Sequence, residues 1–177
     1  MSMFKVLILT VLSTSSLTVI ADDSPLPALG QNAAEIASQP EWHLTITPEG
    51  KNLPDGSGTA QQGEHIFAAQ CAACHGPAGI GSSALALTGD VGSLTDEYPE
   101  KTVNSYWPHA TTLFDYIRRA MPPQAPYSLT AGEVYALTAY ILSQDAIIDP
   151  NLALTQENLP LVTMPNHDGF YQSSSKP

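Results

Sequence analysis

The sequence of 177 residues contains two cysteines, Cys71 and Cys74, and His75 directly follows the second. Two thiols three positions apart can bond the two vinyl groups of a haem, and an imidazole next in line can reach its iron from the same side. Other uses of a bare cysteine pair are a disulfide, a thioredoxin-like redox couple or half of a zinc site. None of these requires a histidine at that position, and a zinc ribbon needs a second cysteine pair that the sequence lacks. The motif predicts one covalently attached haem c, held by Cys71 and Cys74, with His75 as an axial iron ligand.

A six-coordinate haem iron also needs a distal ligand, usually methionine or histidine. Met1 and Met3 lie in a leader described below, which leaves Met121 and Met164. Met121 stands in Ala120-Met121-Pro122-Pro123, between two expected helices, where prolines fix the backbone that presents the thioether. Met164 also precedes a proline but lies in the tail, where hydrophobic packing is the favoured role. Met121 is therefore the expected ligand, with Met164, His109 or an open position as alternatives. A neutral thioether favours ferrous iron and raises the reduction potential relative to two histidines. With both axial positions filled, the expected activity is electron carriage rather than peroxidase chemistry. Trp107, Tyr106 and Arg118 or Arg119 are candidate donors to the haem propionates. The alternative for these residues is aromatic packing beside a solvated arginine pair. His65 reads as a solvent-facing residue, His167 lies in the tail, and His109 could approach the haem edge.

The elements that must position these groups can be read from caps and periodicity. Thr59 and Gln62 form a capping box that opens a helix through Ile66, Phe67 and Ala69 to Cys71. The glycine-rich stretch 76–92 reads as loop. Leu113, Phe114 and Ile117 place a helix over 111–120, ended by Pro122-Pro123. Thr130 and Glu133 cap a further, amphipathic helix carrying Val134, Leu137, Thr138, Ile141 and Leu142 on one side. Gly63, Phe67 and Tyr140 together predict a close crossing of the first and last helices, with an aromatic residue filling the space beside a bare glycine.

The boundaries follow. Residues 1–21 read as a cleaved secretory leader, with Lys5, an apolar run from Val6 and a cut before Asp22; a retained anchor is the lesser reading, since Ser13 to Ser16 interrupt the run. Residues 22–58 form an extended segment in which Trp42, Leu44 and Ile46 alternate, residues 59–144 the helical domain, and residues 145–177 an extension ordered as far as Phe170 and Tyr171 and frayed from Ser173. Export predicts a soluble periplasmic protein with no stable membrane insertion. The chain has 17 acidic and 6 basic residues and a formal net charge of −11, which argues against nucleic acid and anionic membranes as partners. The acidity suits steering towards a basic protein patch, or simply maintains solubility.

Four blocks together carry a family resemblance: Trp42 to Gly58, Ser105 to Pro122, Glu133 to Leu142 and Met164 to Phe170. With them the chain resembles the monohaem cytochrome subunits of periplasmic sulfite dehydrogenases, and is similar also to the haem domain of the Sox sulfane dehydrogenase cytochrome subunit. His167 and the surroundings of His109 depart from the family pattern, in which arginine and an aromatic residue are expected. The resemblance implies an all-α, class I cytochrome c fold with extended N- and C-terminal wrapping segments. It also implies a molybdenum-containing sulfite dehydrogenase subunit as partner and a downstream cytochrome or oxidase as electron acceptor. The sequence has no third cysteine to serve as a molybdenum thiolate ligand, so catalysis is expected on the partner. A single haem motif and this length favour the smaller sulfite dehydrogenase type. A general periplasmic electron shuttle is the alternative, and a haem enzyme or gas sensor with a displaceable distal ligand is a third reading.

Overall fold

A computed structural model describes residues 45–171. The expected leader, most of the 22–58 segment with Trp42 and Leu44, and the last residues from 172 lie outside the described residues. The described elements are β1 (Ser57–Gly58), α1 (Ala60–Gln70), α2 (Ala72–His75), α3 (Val103–Tyr106), α4 (Ala110–Ala120), α5 (Ala131–Gln144) and β2 (Leu154–Thr155), with single 3-10 turns at Pro77–Gly79, Ser93–Thr95 and Leu159–Leu161. The fold is helical, and its two short strands pair antiparallel with Ser57 opposite Thr155 and Gly58 opposite Leu154.

The two expected capping boxes form. Thr59 Oγ1 accepts from the Gln62 amide, and the Gln62 side chain accepts from the Thr59 amide at 2.9 Å. Thr130 and Glu133 repeat the exchange at the start of α5, where Glu133 Oε2 accepts from the Thr130 amide at 2.8 Å. These bonds satisfy amides that a helix N-terminus leaves without intrahelical partners.

α1 buries Ala60, Gly63 and Phe67 against α5. A Cβ on Gly63 would lie 2.0 Å from the Ala136 carbonyl oxygen and 2.7 Å from Tyr140 Cβ, so the crossing requires glycine there. One turn on, the Phe67 and Tyr140 rings meet at 5.1 Å between centroids. Gly58, in β1, meets the same stretch of α5: a Cβ there would lie 2.2 Å from the Ala136 amide nitrogen.

α5 departs from the one-sided pattern expected of it. Its residues from Val134 to Ala139 are buried without interruption, because α1, α4, β1 and β2 pack around it. It is the central helix. Tyr135 is buried in this stretch, stacks on Phe114 of α4 at 4.5 Å and donates its hydroxyl to the Pro54 carbonyl at 2.9 Å. Burial first, and the nearby Glu157 and Asp55 carboxylates second, push its phenol up to about 12.

The extension after α5 follows an ordered path, and it does more than wrap the surface. Ile148, Leu154, Leu159 and Met164 are all buried in the same core as Phe67 and Phe114. β2 and the Leu159–Leu161 turn are the means: the first pairs with β1 and contacts α5, the second contacts α4.

Candidate haem-attachment site

α1 carries the chain to Cys71, whose amide donates to the Phe67 carbonyl at 2.9 Å and whose backbone then leaves the α1 geometry. A single further turn, α2, runs to His75 and stops at Gly76, where φ is 74°. This places both cysteines and the histidine on one short, sharply ended segment. Cys71 is half-buried and Cys74 exposed, and they form no disulfide with one another. Burial, and secondarily Cys74, push the Cys71 thiol up.

His75 is held by a contact that the sequence does not announce. Its Nδ1 lies 3.1 Å from the Leu85 carbonyl oxygen. A carbonyl can only accept, so Nδ1 carries the proton and Nε2 keeps its lone pair. This is the tautomer and ring anchor that a metal-ligating histidine needs. The chain therefore supplies two thiols and a correctly protonated, oriented imidazole, a donor set that fits haem c.

Long-range bonds fix the loop that presents the Leu85 carbonyl. Ala84 N donates to Cys74 O at 2.9 Å, Gly81 N to His75 O at 2.7 Å and Leu87 N to Gly79 O at 2.7 Å. Farther along, the buried Asn104 of α3 donates its backbone amide to Leu87 O at 3.1 Å. Its side-chain amide donates to Ile141 O at 2.8 Å and to Asp145 Oδ2 at 2.7 Å. Asp145 Oδ2 also accepts from Gly89 N at 2.8 Å. The loop is thus tied to the end of α5, and His75 is tied to the loop. Asn104 and Leu85 are the positioning residues that sequence reading missed. The cap formed by Thr102 and Ser105 on α3 was the available signal for Asn104, but serine replaces the usual Glu or Gln and four residues show no periodicity.

Met121 caps α4. Its amide donates to Ile117 O at 3.0 Å, its backbone is extended, and the peptide to the buried Pro122 is cis. The side chain is half-buried against the core. Met164 is 1% exposed. Trp107 is half-buried, edge-to-face with Tyr116 at 5.6 Å, and Arg118 lies over the Tyr127 ring at 5.7 Å. Arg119 is engaged by Asp115, with Nε 2.8 and 2.9 Å from the two carboxylate oxygens, and reaches the Tyr127 hydroxyl at 3.2 Å. The structure brings Cys71, Cys74 and His75 together on one segment; Trp107, Arg118 and Met121 are distributed along and around α4. A surface pocket of about 390 Å³ between Lys101, Tyr106, Asn166 and Phe170 is lined by none of these residues. Among the described residues no helix is long and apolar enough to cross a membrane.

A helical domain that ends its first helix in this anchored Cys-x-x-Cys-His segment defines a c-type cytochrome. The comparisons agree: residues 58–141 match the family model described as cytochrome C oxidase, cbb3-type, subunit III. The solved structure of the sulfane dehydrogenase SoxCD from Paracoccus pantotrophus is similar at 37% identity and a TM-score of 0.71, over 84% of this chain and 72% of that one. No curated protein matches the sequence. The chain belongs to the cytochrome c family, as a monohaem cytochrome related to the Sox cytochrome subunit. It is an electron-transfer protein with covalently bound haem c, which supplies one-electron iron chemistry when in place.

Proposed function

We propose that this chain acts in the periplasm as the one-electron acceptor of a molybdenum-containing dehydrogenase that oxidises sulfite or a related sulfur compound. It then hands the electrons to a downstream cytochrome or oxidase. The observation that carries this reading is the 37% identity to the sulfane dehydrogenase SoxCD over 84% of the chain. Oxidation of sulfite to sulfate, with the added oxygen taken from water, releases two electrons and two protons, so two copies of a monohaem carrier are reduced per sulfite. The two cysteines are both placed in the haem motif, which leaves no thiolate for molybdenum and puts catalysis on the partner. In this reading Met121 is the sixth ligand, fixed between the last turn of α4 and Pro122, and Trp107 and Arg118 are donors to the propionates.

The test adds sulfite to the purified, oxidised protein with periplasmic extract from a source strain lacking it, against buffer and boiled-extract controls. Rapid growth of the reduced haem bands only with active extract and sulfite is the expected result. A sulfane-sulfur donor run in parallel distinguishes the two substrates. No reduction by either sulfur donor, with ready reduction by other respiratory donors, would replace the proposal with a general electron shuttle.

A further inference from the structure

Two histidines that take no part in the haem motif meet at the entrance to α4. His109 is the residue before that helix, in extended conformation, and its backbone pairs antiparallel with Thr163. Asn166 Nδ2 donates to Tyr106 O at 2.6 Å, and His167 Nδ1 lies 3.3 Å from Pro108 O. The stretches 106–109 and 163–167, some 58 positions apart, are thus clamped at three points. Between them the two imidazole rings stand 5.3 Å apart, centroid to centroid, at 82°.

The chemistry of this pair is directional. Pro108 O can only accept, so His167 Nδ1 is the protonated nitrogen, and in the neutral ring Nε2 is the one left to bind a cation. Asp168 Oδ1 lies 3.9 Å from that Nε2. Glu49 adds a second negative charge near His109; its carboxyl is held low chiefly by the Thr47 hydroxyl, with a smaller contribution from His109. These carboxylates offset the positive end of the α4 dipole, which alone would oppose a cation there. His167 is about half exposed and Asp168 fully so, leaving the pair open to small ions. Two imidazoles on one tetrahedral zinc, with bonds of about 2.0–2.1 Å, bring their ring centres to about 5 Å.

We propose that His109 and His167 form a two-imidazole site for a borderline divalent cation of the zinc class. Water fills the other positions. Among the described residues no group of three or more His, Cys, Asp or Glu is placed to hold a metal ion, so the protein supplies this site with two ligands only. Its occupation pins the 163–168 segment to the start of α4, because the ligands come one from each side. Copper(II) binds more tightly than zinc at such nitrogen sites, but zinc is the cleaner probe because it has no redox chemistry.

The experiment titrates zinc chloride into the untagged, haem-loaded protein in a non-coordinating buffer at neutral pH, read by calorimetry and by the thermal midpoint. One saturable equivalent is expected, with a midpoint that rises with zinc. His109→Gln and His167→Gln should each weaken binding about tenfold or more and abolish the midpoint rise. His65→Gln, an exposed histidine on α1, should leave both unchanged. Each variant is first required to retain wild-type haem bands and a cooperative melt. Absence of saturable binding by the wild type, or equal zinc affinity in the wild type and both folded variants, would overturn the proposal and leave an edge-to-face ring contact.

Discussion

Two Met-Pro dipeptides occupy opposite situations in this molecule. Met121-Pro122 closes α4 with a half-buried thioether at the edge of the core, whereas Met164-Pro165 lies in the extension with its side chain 1% exposed. The local sequence is the same, so the difference comes from what surrounds it. The α4 end is held mainly by its own helix, through the bond from Met121 N to Ile117 O, and by the prolines that follow. The extension is held by distant partners: β1 through β2, α4 through the Leu159–Leu161 turn, and the 106–109 stretch through Asn166. A methionine committed to packing on all sides is a poor candidate ligand; one presented from a short-range, rigid turn is a good one.

The comparison breaks most visibly on substitution of the two methionines. Met121→Ala is expected to lower the reduction potential by an amount on the order of 0.1 V, within the range of ~0.8 V that axial ligands span. It should also let carbon monoxide bind the ferrous protein, and spectroelectrochemistry reads both effects. Met164→Ala should leave the potential and the spectrum near wild type. Its cost falls on folding, about 2–5 kcal/mol by denaturant titration, the range for truncating a fully buried side chain. If the potential moved with Met164 and stability with Met121, the assignments would be exchanged.

The two regions should also fail at opposite ends of the pH scale. Tyr135 faces the extension's Glu157, and its phenol is raised to about 12 by burial first and by Glu157 and Asp55 second. A raised folded value means the native state holds its proton longer than the unfolded chain. Its stabilisation is complete below the ordinary phenol range near 10 and is lost as pH climbs from there towards 12. Denaturant midpoints should therefore fall over that window. Tyr135→Phe should flatten the fall while costing about 1 kcal/mol at neutral pH for the bond to Pro54 O. An unaltered alkaline slope in that variant would assign the instability elsewhere.

Much of the helical frame was legible because its determinants are local. Thr59 with Gln62 and Thr130 with Glu133 announce helix starts through a reciprocal bond three residues apart, and Gly63 with Phe67 announces a close crossing. The haem motif is legible for the same reason. What escaped is non-local. Nothing near Leu85 marks its carbonyl as the acceptor from His75, because any residue offers the same carbonyl and only the folded loop selects one. The burial of Leu154 and Leu159 escaped because their run has neither period and depends on β1 and α4 to cover it, whereas Met164 packs as expected. The all-round burial of α5 was hidden similarly: periodicity reports one preferred face, whereas neighbours from several directions cover Tyr135 and Ala139 as well.

The smallest expected effect tests the Met121 side under acid. The segment that follows Met121 ends at the Thr130–Glu133 cap, and the Glu133 carboxyl is held below its ordinary range by the Thr130 amide first and the Thr130 hydroxyl second. A lowered folded value gives the opposite sign from Tyr135: the stabilisation is present above the ordinary glutamate range and is lost as pH falls through the folded value. Thr130→Ala removes one side of the cap and should cost about 1 kcal/mol at neutral pH. Glu133→Gln keeps a side-chain acceptor for the Thr130 amide but loses the charge at the helix N-terminus, so its cost should be only a few tenths of a kcal/mol. Melting followed from pH 7 down to pH 3 should show the Glu133→Gln deficit shrinking as the wild-type carboxylate protonates. A deficit that stayed constant with pH would mean that the cap acts through shape alone, and that the α4–α5 connection gains nothing from the charge.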